Sequence, residues 1–139
     1  MTAGNELMIT VLSNTDEEGV KNLVKTLVGK NISHIDTIIA NAGFGMSFAS
    51  ARTTSLANIR SDFEINCLSA VRLFQDAFIL LCKSSKPKFV LISSVLGSIE
   101  VMDGSPCLSY GMSKAAANYA IRKIHFENQD IVSLAIHPG

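Results

Sequence analysis

The feature that most constrains this chain is a regular alternation of short β-branched runs with longer amphipathic stretches. Leu7–Leu12 reads as a strand, and Ser13-Asn14-Thr15-Asp16 supplies turn and N-cap chemistry. From Asp16 to Lys30, the residues Val20, Leu23, Val24, Leu27 and Val28 recur at the spacing of one helical face, and Gly29 and Asn31 close the helix. Asp36–Ala40 is the next strand, followed by the small-residue loop Asn41-Ala-Gly-Phe-Gly-Met-Ser. A long helical region covers Ser55 to Cys82, with an interruption near Ser61. Phe89–Ser93 forms a third strand, Ser94 to Ser105 a loop, Ser109 to Phe126 a helix, and Ile131–Ile136 the last strand. This order predicts parallel βαβ units in one domain over residues 1–139: an α/β fold with a mainly parallel sheet of about four strands and helices on both faces.

Composition removes several classes of function. Twelve basic and twelve acidic side chains give a formal charge of zero, unlike a nucleic-acid surface with clustered Lys and Arg. Apolar runs such as Ala77–Cys82 and Phe89–Ile92 fall far short of the roughly 18 residues that span a bilayer. Cys67, Cys82 and Cys107 are odd in number and lack metal-type spacing, so they read as reduced, mostly buried thiols. The start Met1-Thr-Ala-Gly-Asn-Glu lacks the basic segment of a signal peptide, and a cytoplasmic protein is expected. His34, His125 and His137 show no ligand spacing, and no metal site is expected.

In an open parallel sheet, ligands lie beyond the carboxyl ends of the strands. Attention therefore falls on Ser13, Asn41–Gly43, Ser93–Ser94 and Pro138–Gly139, which follow the four strands. Tyr110 and Lys114 are four apart at the start of a helix and share one face. A lysine ammonium near a phenol favours the phenolate, which can exchange a proton with a carbonyl or alcohol oxygen. A hydroxyl at a strand end can bind the same oxygen; Ser94 is the first candidate, with Ser93 in reserve. Tyr-x-x-x-Lys alone is a weak signal, since Tyr119-Ala-Ile-Arg-Lys123 repeats it. Tyr110 is preferred because it lies at the helix start near the strand ends, whereas Tyr119 lies two turns deeper on the opposite face and reads as a packing residue.

The ordered set Asn41-Ala-Gly43, Asn66 in Phe-Glu-Ile-Asn, Ser93-Ser94, Tyr110-Gly-Met-Ser-Lys114 and Pro138-Gly139 resembles the short-chain dehydrogenase/reductase family across essentially the whole chain. Ile92-Ser-Ser-Val-Leu-Gly-Ser-Ile and Tyr-Gly-Met-Ser-Lys-Ala-Ala-Ala-Asn are most similar to small carbonyl reductases and fungal polyketide ketoreductases. The resemblance implies a partial Rossmann-like three-layer sandwich and an oxidoreductase that reduces a ketone or aldehyde, or oxidises an alcohol, with NADP or NAD. It implies a catalytic set in which Tyr110 is the general acid/base and Ser94 binds the carbonyl. Lys114 would hold the nicotinamide ribose and favour the phenolate, and Asn66 would support a proton relay. Asn41, Ala42 and Gly43 would pack near the adenosine half of the cofactor, Tyr110 and Lys114 at its ribose, and Pro138 and Gly139 beside the nicotinamide.

The chain also departs from that pattern. The family's Gly-x-x-x-Gly-x-Gly phosphate turn occurs nowhere in it, and Gly43-Phe-Gly45 reads as a flexible loop. By resemblance Leu7–Leu12 is the family's third strand. Residues 1–139 are then a single truncated domain lacking the N-terminal dinucleotide-phosphate unit and the C-terminal substrate segment. Left without its neighbours, Leu7–Leu12 is expected to dock directly beside Asp36–Ala40. The alternative function is a catalytically inactive relative acting as an interaction fragment. Helices 66–82 and 109–126 would then form a homo-oligomer surface through Leu68, Val71, Phe74, Phe78 and Leu81, unless those side chains are simply core.

Overall fold

The computed structural model describes residues 7–11, 13, 16, 18–45, 47–101 and 104–139. Met1–Glu6, Leu12, Asn14, Thr15, Glu17, Met46 and residues 102–103, which enter several of the expected elements, lie outside the described residues. Helix α1 spans Gly19–Gly29, β1 Thr37–Ala40 and α2 Leu56–Phe63. A π-helical turn over Glu64–Leu68 then leads into α3, Ser69–Leu81. Strand β2 is Lys88–Ile92, a 3-10 turn covers Val95–Gly97, α4 is Leu108–Glu127 and β3 is Val132–Ile136.

Local chemistry explains several boundaries. The Asp16 carboxylate accepts from the Glu18 amide at 3.0 Å, turning the chain into α1 just ahead of Gly19. After α1, Asn31 takes the left-handed conformation at φ 63°, and the Ile32 amide reaches back to the Leu27 carbonyl at 3.0 Å. The Ser55 side chain caps α2 by accepting from the Asn58 amide at 3.1 Å.

The sheet is parallel throughout, in the order β1-β2-β3. Its register sets Ile38 beside Phe89 and Ser133, and Ala40 beside Leu91 and Ala135. These rows face α3 and α4, where Phe74, Ala77, Leu81, Ala117, Ile121 and Ile124 complete the core. The Phe89 ring, fully buried, meets Phe74 edge-on with centroids 5.2 Å apart. Helix α1 packs on α3 and brings Val24 against this core.

The α/β class and the parallel sheet are as the sequence predicts, but three details differ. The sheet has three strands among the described residues, because 7–11 forms no strand and pairs with no neighbour there. Leu7, Ile9 and Val11 are 83%, 83% and 95% exposed, so the docking beside β1 does not occur. A strand's propensity is realised only against a partner ladder, and this segment has none. The helices also leave the second sheet face largely open: Ile39, Val132, Leu134 and Ile136 on it are 42–59% exposed. Finally, the interruption expected near Ser61 is the π turn at Glu64–Leu68.

Of the side chains considered for an association surface, Phe74 and Leu81 are core and Phe78 packs against it, while Leu68 lies at the surface. Tyr119 is exposed rather than packed, and Cys82 is exposed rather than buried. No helix among the described residues is long and apolar enough to cross a membrane.

The core ring pair makes a direct prediction. Phe89→Ala removes a fully buried ring and lowers unfolding stability by about 3–5 kcal/mol. Leu134→Ser, on the open face, shifts it by about 0.5 kcal/mol or less. Urea denaturation of the two variants measures the contrast.

Candidate active site

The carboxyl ends of β1, β2 and β3 point the same way, and each releases a segment of the site. From β1 comes the loop Asn41–Gly45; from β2, Ser93 and Ser94; from β3, Pro138 and Gly139. The Ser93 amide donates to the Ile136 carbonyl at 2.7 Å, so the ends of β2 and β3 stay joined there.

Asn66 is the connecting residue. Its side chain is 1% exposed and sits within the π turn, where the helical ladder is locally widened. Its Oδ1 accepts from the Phe44 amide at 2.7 Å, and its Nδ2 donates to the Phe44 carbonyl at 2.6 Å. The same Nδ2 donates to Ser113 Oγ at 2.9 Å, and Ser113 in turn donates to the Tyr110 carbonyl at 2.7 Å. One amide therefore ties the loop after β1 to the first turns of α4, with both its donor hydrogens used.

Lys114 and Tyr110 share one face of α4, as their spacing predicts. The Lys114 Nζ lies 5.7 Å from the Tyr110 ring centroid and donates to the Ile92 carbonyl at 2.9 Å. Lys114 is 3% exposed, and burial pushes its ammonium below the ordinary lysine range. Gly43 leaves room beside it: a Cβ there would meet Lys114 Nζ at 3.2 Å and Asn66 Oδ1 at 3.4 Å. Gly45 lies against the Tyr110 ring so closely that a Cβ would fall 2.2 Å from its Cδ2. The segment Gly43-Phe-Gly45 is thus a fitted wall of the site rather than a loose loop.

The two serines separate cleanly. Ser93 is buried, and its hydroxyl donates to Asn118 Oδ1 at 2.6 Å, while Asn118 Nδ2 donates to the Gly97 carbonyl at 3.1 Å. Ser94 is half-buried, and its oxygen accepts a long 3.3 Å bond from the Leu96 amide. That leaves the Ser94 hydroxyl hydrogen without a described acceptor and makes it the serine open to a ligand.

Asn41 and Ala42 are exposed and border a small cavity of about 220 Å³ with Val20, Ile39 and Leu73. Pro138 and Gly139 are exposed beyond β3. Ser113 and Asn118 also shape the site but were not singled out from the sequence. Ser113 and Asn118 lie three residues after Tyr110 and four after Lys114, so helical spacing alone points to them.

The ribose end of a nicotinamide nucleotide fits these residues: the Lys114 ammonium has three donors with one described acceptor, and the absent Cβ of Gly43 leaves space next to it. For the pyrophosphate end the 139 residues hold no glycine turn of the required spacing.

Two measurements test this geometry. Asn66→Ala strands the Phe44 amide and carbonyl, costs about 1–3 kcal/mol, and speeds hydrogen exchange at the Phe44 amide. For Lys114, the unfolded chain binds the proton more tightly than the folded one. Stability therefore rises with pH from its depressed folded value up to the ordinary lysine value, and the burial penalty is fully present below that window. Lys114→Met removes this rise, as denaturation midpoints measured across alkaline pH would record.

Comparison with known proteins accords with this arrangement. The short chain dehydrogenase family model matches residues 1–139. The norsolorinic acid ketoreductase of Aspergillus parasiticus is 34% identical over 98% of this chain and 52% of its own length. The norsolorinic acid ketoreductase of Dothistroma septosporum is 35% identical over 98% of this chain and 53% of its own. Among solved structures, the NADPH-bound carbonyl reductase from chicken fatty liver superimposes with a TM-score of 0.84 at 27% identity, covering 92% of this chain and 56% of that one. The chain spans about half the length of the curated relatives it matches. With its three parallel strands, buried Asn66 and paired Tyr110 and Lys114, the chain belongs to the short chain dehydrogenase family.

Proposed function

We propose that these residues are the catalytic part of a nicotinamide-dependent ketoreductase or carbonyl reductase, with NADP(H) as the first candidate cofactor and NAD(H) the second. The observation that carries this reading is the convergence of Lys114 and Asn66 on Gly43, beside the ring of Tyr110. The ketoreductase and carbonyl reductase names of the relatives support the same reaction class.

When bound, the nicotinamide supplies or accepts the hydride. Tyr110 Oη gives its proton to the carbonyl oxygen of a ketone or aldehyde, or takes it from an alcohol. The Ser94 hydroxyl donates to that same oxygen and stabilises the charge developing on it. Lys114 holds the ribose hydroxyls with its remaining donors. Asn66 fixes the Phe44 backbone and, through Ser113, the carbonyl of Tyr110, so that the loop and the reacting helix keep one geometry. Asn41, Ala42 and Gly43 border the adenosine half, and Pro138 with Gly139 the nicotinamide.

A second reading is favoured by one specific observation, the lack of a phosphate-binding glycine turn in the 139 residues. In that reading residues 1–139 by themselves are a catalytically silent unit in the cytoplasm, in which the same side chains serve only to hold the fold and any homo-oligomer contact. Titration of residues 1–139 with NADPH, and with NADH alongside, separates the two through cofactor fluorescence. The catalytic reading expects saturable binding that Lys114→Ala weakens about tenfold or more and that Tyr110→Phe leaves nearly unchanged. Absence of binding at millimolar cofactor assigns this chain to the silent reading.

A further inference from the structure

The bond between Asn66 and Ser113 is one rung between two helical runs that lie side by side. The run from α2 through α3 returns from the end of β1 to the start of β2, and α4 returns from the end of β2 to the start of β3. Because the strands are parallel, both runs point against them and so point the same way. Asp62 lies four residues before Asn66, and Ser109 four before Ser113, each about one turn nearer the helix starts on the same side. Helix α2 packs on α4, and both side chains are buried, Asp62 at 2% exposed and Ser109 at 1%. Asp62 and Ser109 are therefore the next rung toward the carboxyl ends of the strands.

This rung differs in chemistry from the one below it. Asn66 donates to Ser113, whereas Asp62 Oδ2 and Ser109 Oγ have no hydrogen-bond partner among the described residues. A buried carboxylate without a donor is costly unless a positive field meets it. The first turn of α4 supplies that field. Cys107 at its N-cap makes no side-chain cap, and the turn holds no acidic residue of its own. By contrast, α2 is capped by Ser55. The amides that open α4 thus form the positive end of a 20-residue helix with no counter-charge from their own segment.

We propose that Asp62 is a positioning residue for Tyr110. Its carboxylate, carried on α2, is the counter-charge of the α4 N-terminus and holds the first turn in place, and Tyr110 leaves that turn to set its ring against Gly45. Asp62 acts through the field at the turn and not by contact with a substrate. The importance of Tyr110 rests on the catalytic reading above, but the ordering by Asp62 is measurable without cofactor or substrate.

Tyr119 is exposed, so Tyr119→Phe leaves Tyr110 as the one tyrosine in a chain without tryptophan. The tyrosine band in near-ultraviolet circular dichroism then reports how firmly its ring is held. In that background, Asp62→Asn keeps the shape of the side chain and removes its charge, while Asp62→Ala removes both. Each variant is expected to reduce the Tyr110 band to about half and to speed exchange of the Gly111 amide, bonded to the Cys107 carbonyl at 2.9 Å, about tenfold. The urea midpoint of Asp62→Asn is expected to stay at or above that of the parent, since relief of the buried charge offsets the lost helix-dipole interaction. If Asp62→Ala does not fold, Asp62→Asn alone carries the test. An Asp62→Asn protein with the parent's band and exchange rate shows that shape suffices, and overturns the proposal. So does a urea midpoint that falls along with the band, the mark of a purely structural residue. Failure of the catalytic reading is seen separately, as absence of NADPH binding by the parent chain.

Discussion

The buried amide of Asn66 is the constraint on which the rest of the site depends. Three hydrogen bonds leave it, two to the backbone of Phe44 and one to Ser113, and no other described side chain joins the loop after β1 to α4 in this way. A buried amide is costly unless its donors and acceptor are met, so the loop and the helix must come to it in one arrangement. That arrangement sets Gly43 beside Lys114 and Gly45 over Tyr110. The π turn follows from the same demand, since a widened turn lets the asparagine sit inside a helix whose ordinary ladder disfavours it.

The electrostatics of the site build on this frame. Lys114 lies in a pocket made by its own helix, the end of β2 and the glycine loop, with the Ile92 carbonyl as its described hydrogen-bond acceptor. A buried ammonium with unspent donors is poised to take a polar ligand, because each bond it gains offsets part of the desolvation already incurred. The division between the serines has a similar origin. Asn118 occupies Ser93 and steadies the 3-10 turn, which leaves Ser94 as the hydroxyl with a free hydrogen.

Much of this was legible in the sequence, and what was not has identifiable causes. Helical spacing placed Tyr110 and Lys114 on one face and set Tyr119 apart, and the left-handed end of α1 at Asn31 follows from local chemistry alone. Asn66 stood out because an asparagine in mid-helix needs a reason. Helical spacing puts Ser113 and Asn118 near the faces of Tyr110 and Lys114, but their partners Asn66, Ser93 and Gly97 lie 21 to 47 positions away, which periodicity does not encode, and Gly45 was read only as part of a loose loop. The strand expected at Leu7–Leu12 failed for a related reason. Alternating apolar residues describe what a segment could pair with, but 7–11 makes no ladder with the free edge of β1. Cys82 and Tyr119 show the same limit, since an apolar helix face predicts burial only where a second layer arrives to cover it.

The open second face of the sheet has a thermodynamic consequence of its own. Ile39, Val132, Leu134 and Ile136 are already partly hydrated in the native state, so unfolding adds less new apolar surface than in a sheet covered on both sides. Both the heat-capacity increment and the denaturant slope scale with newly exposed surface. Residues 1–139 should therefore unfold with a small heat-capacity change per residue and a shallow dependence on urea. Their stability curve is correspondingly flat in temperature, and cold costs this chain less of its driving force than it costs a domain of equal length with both faces sealed.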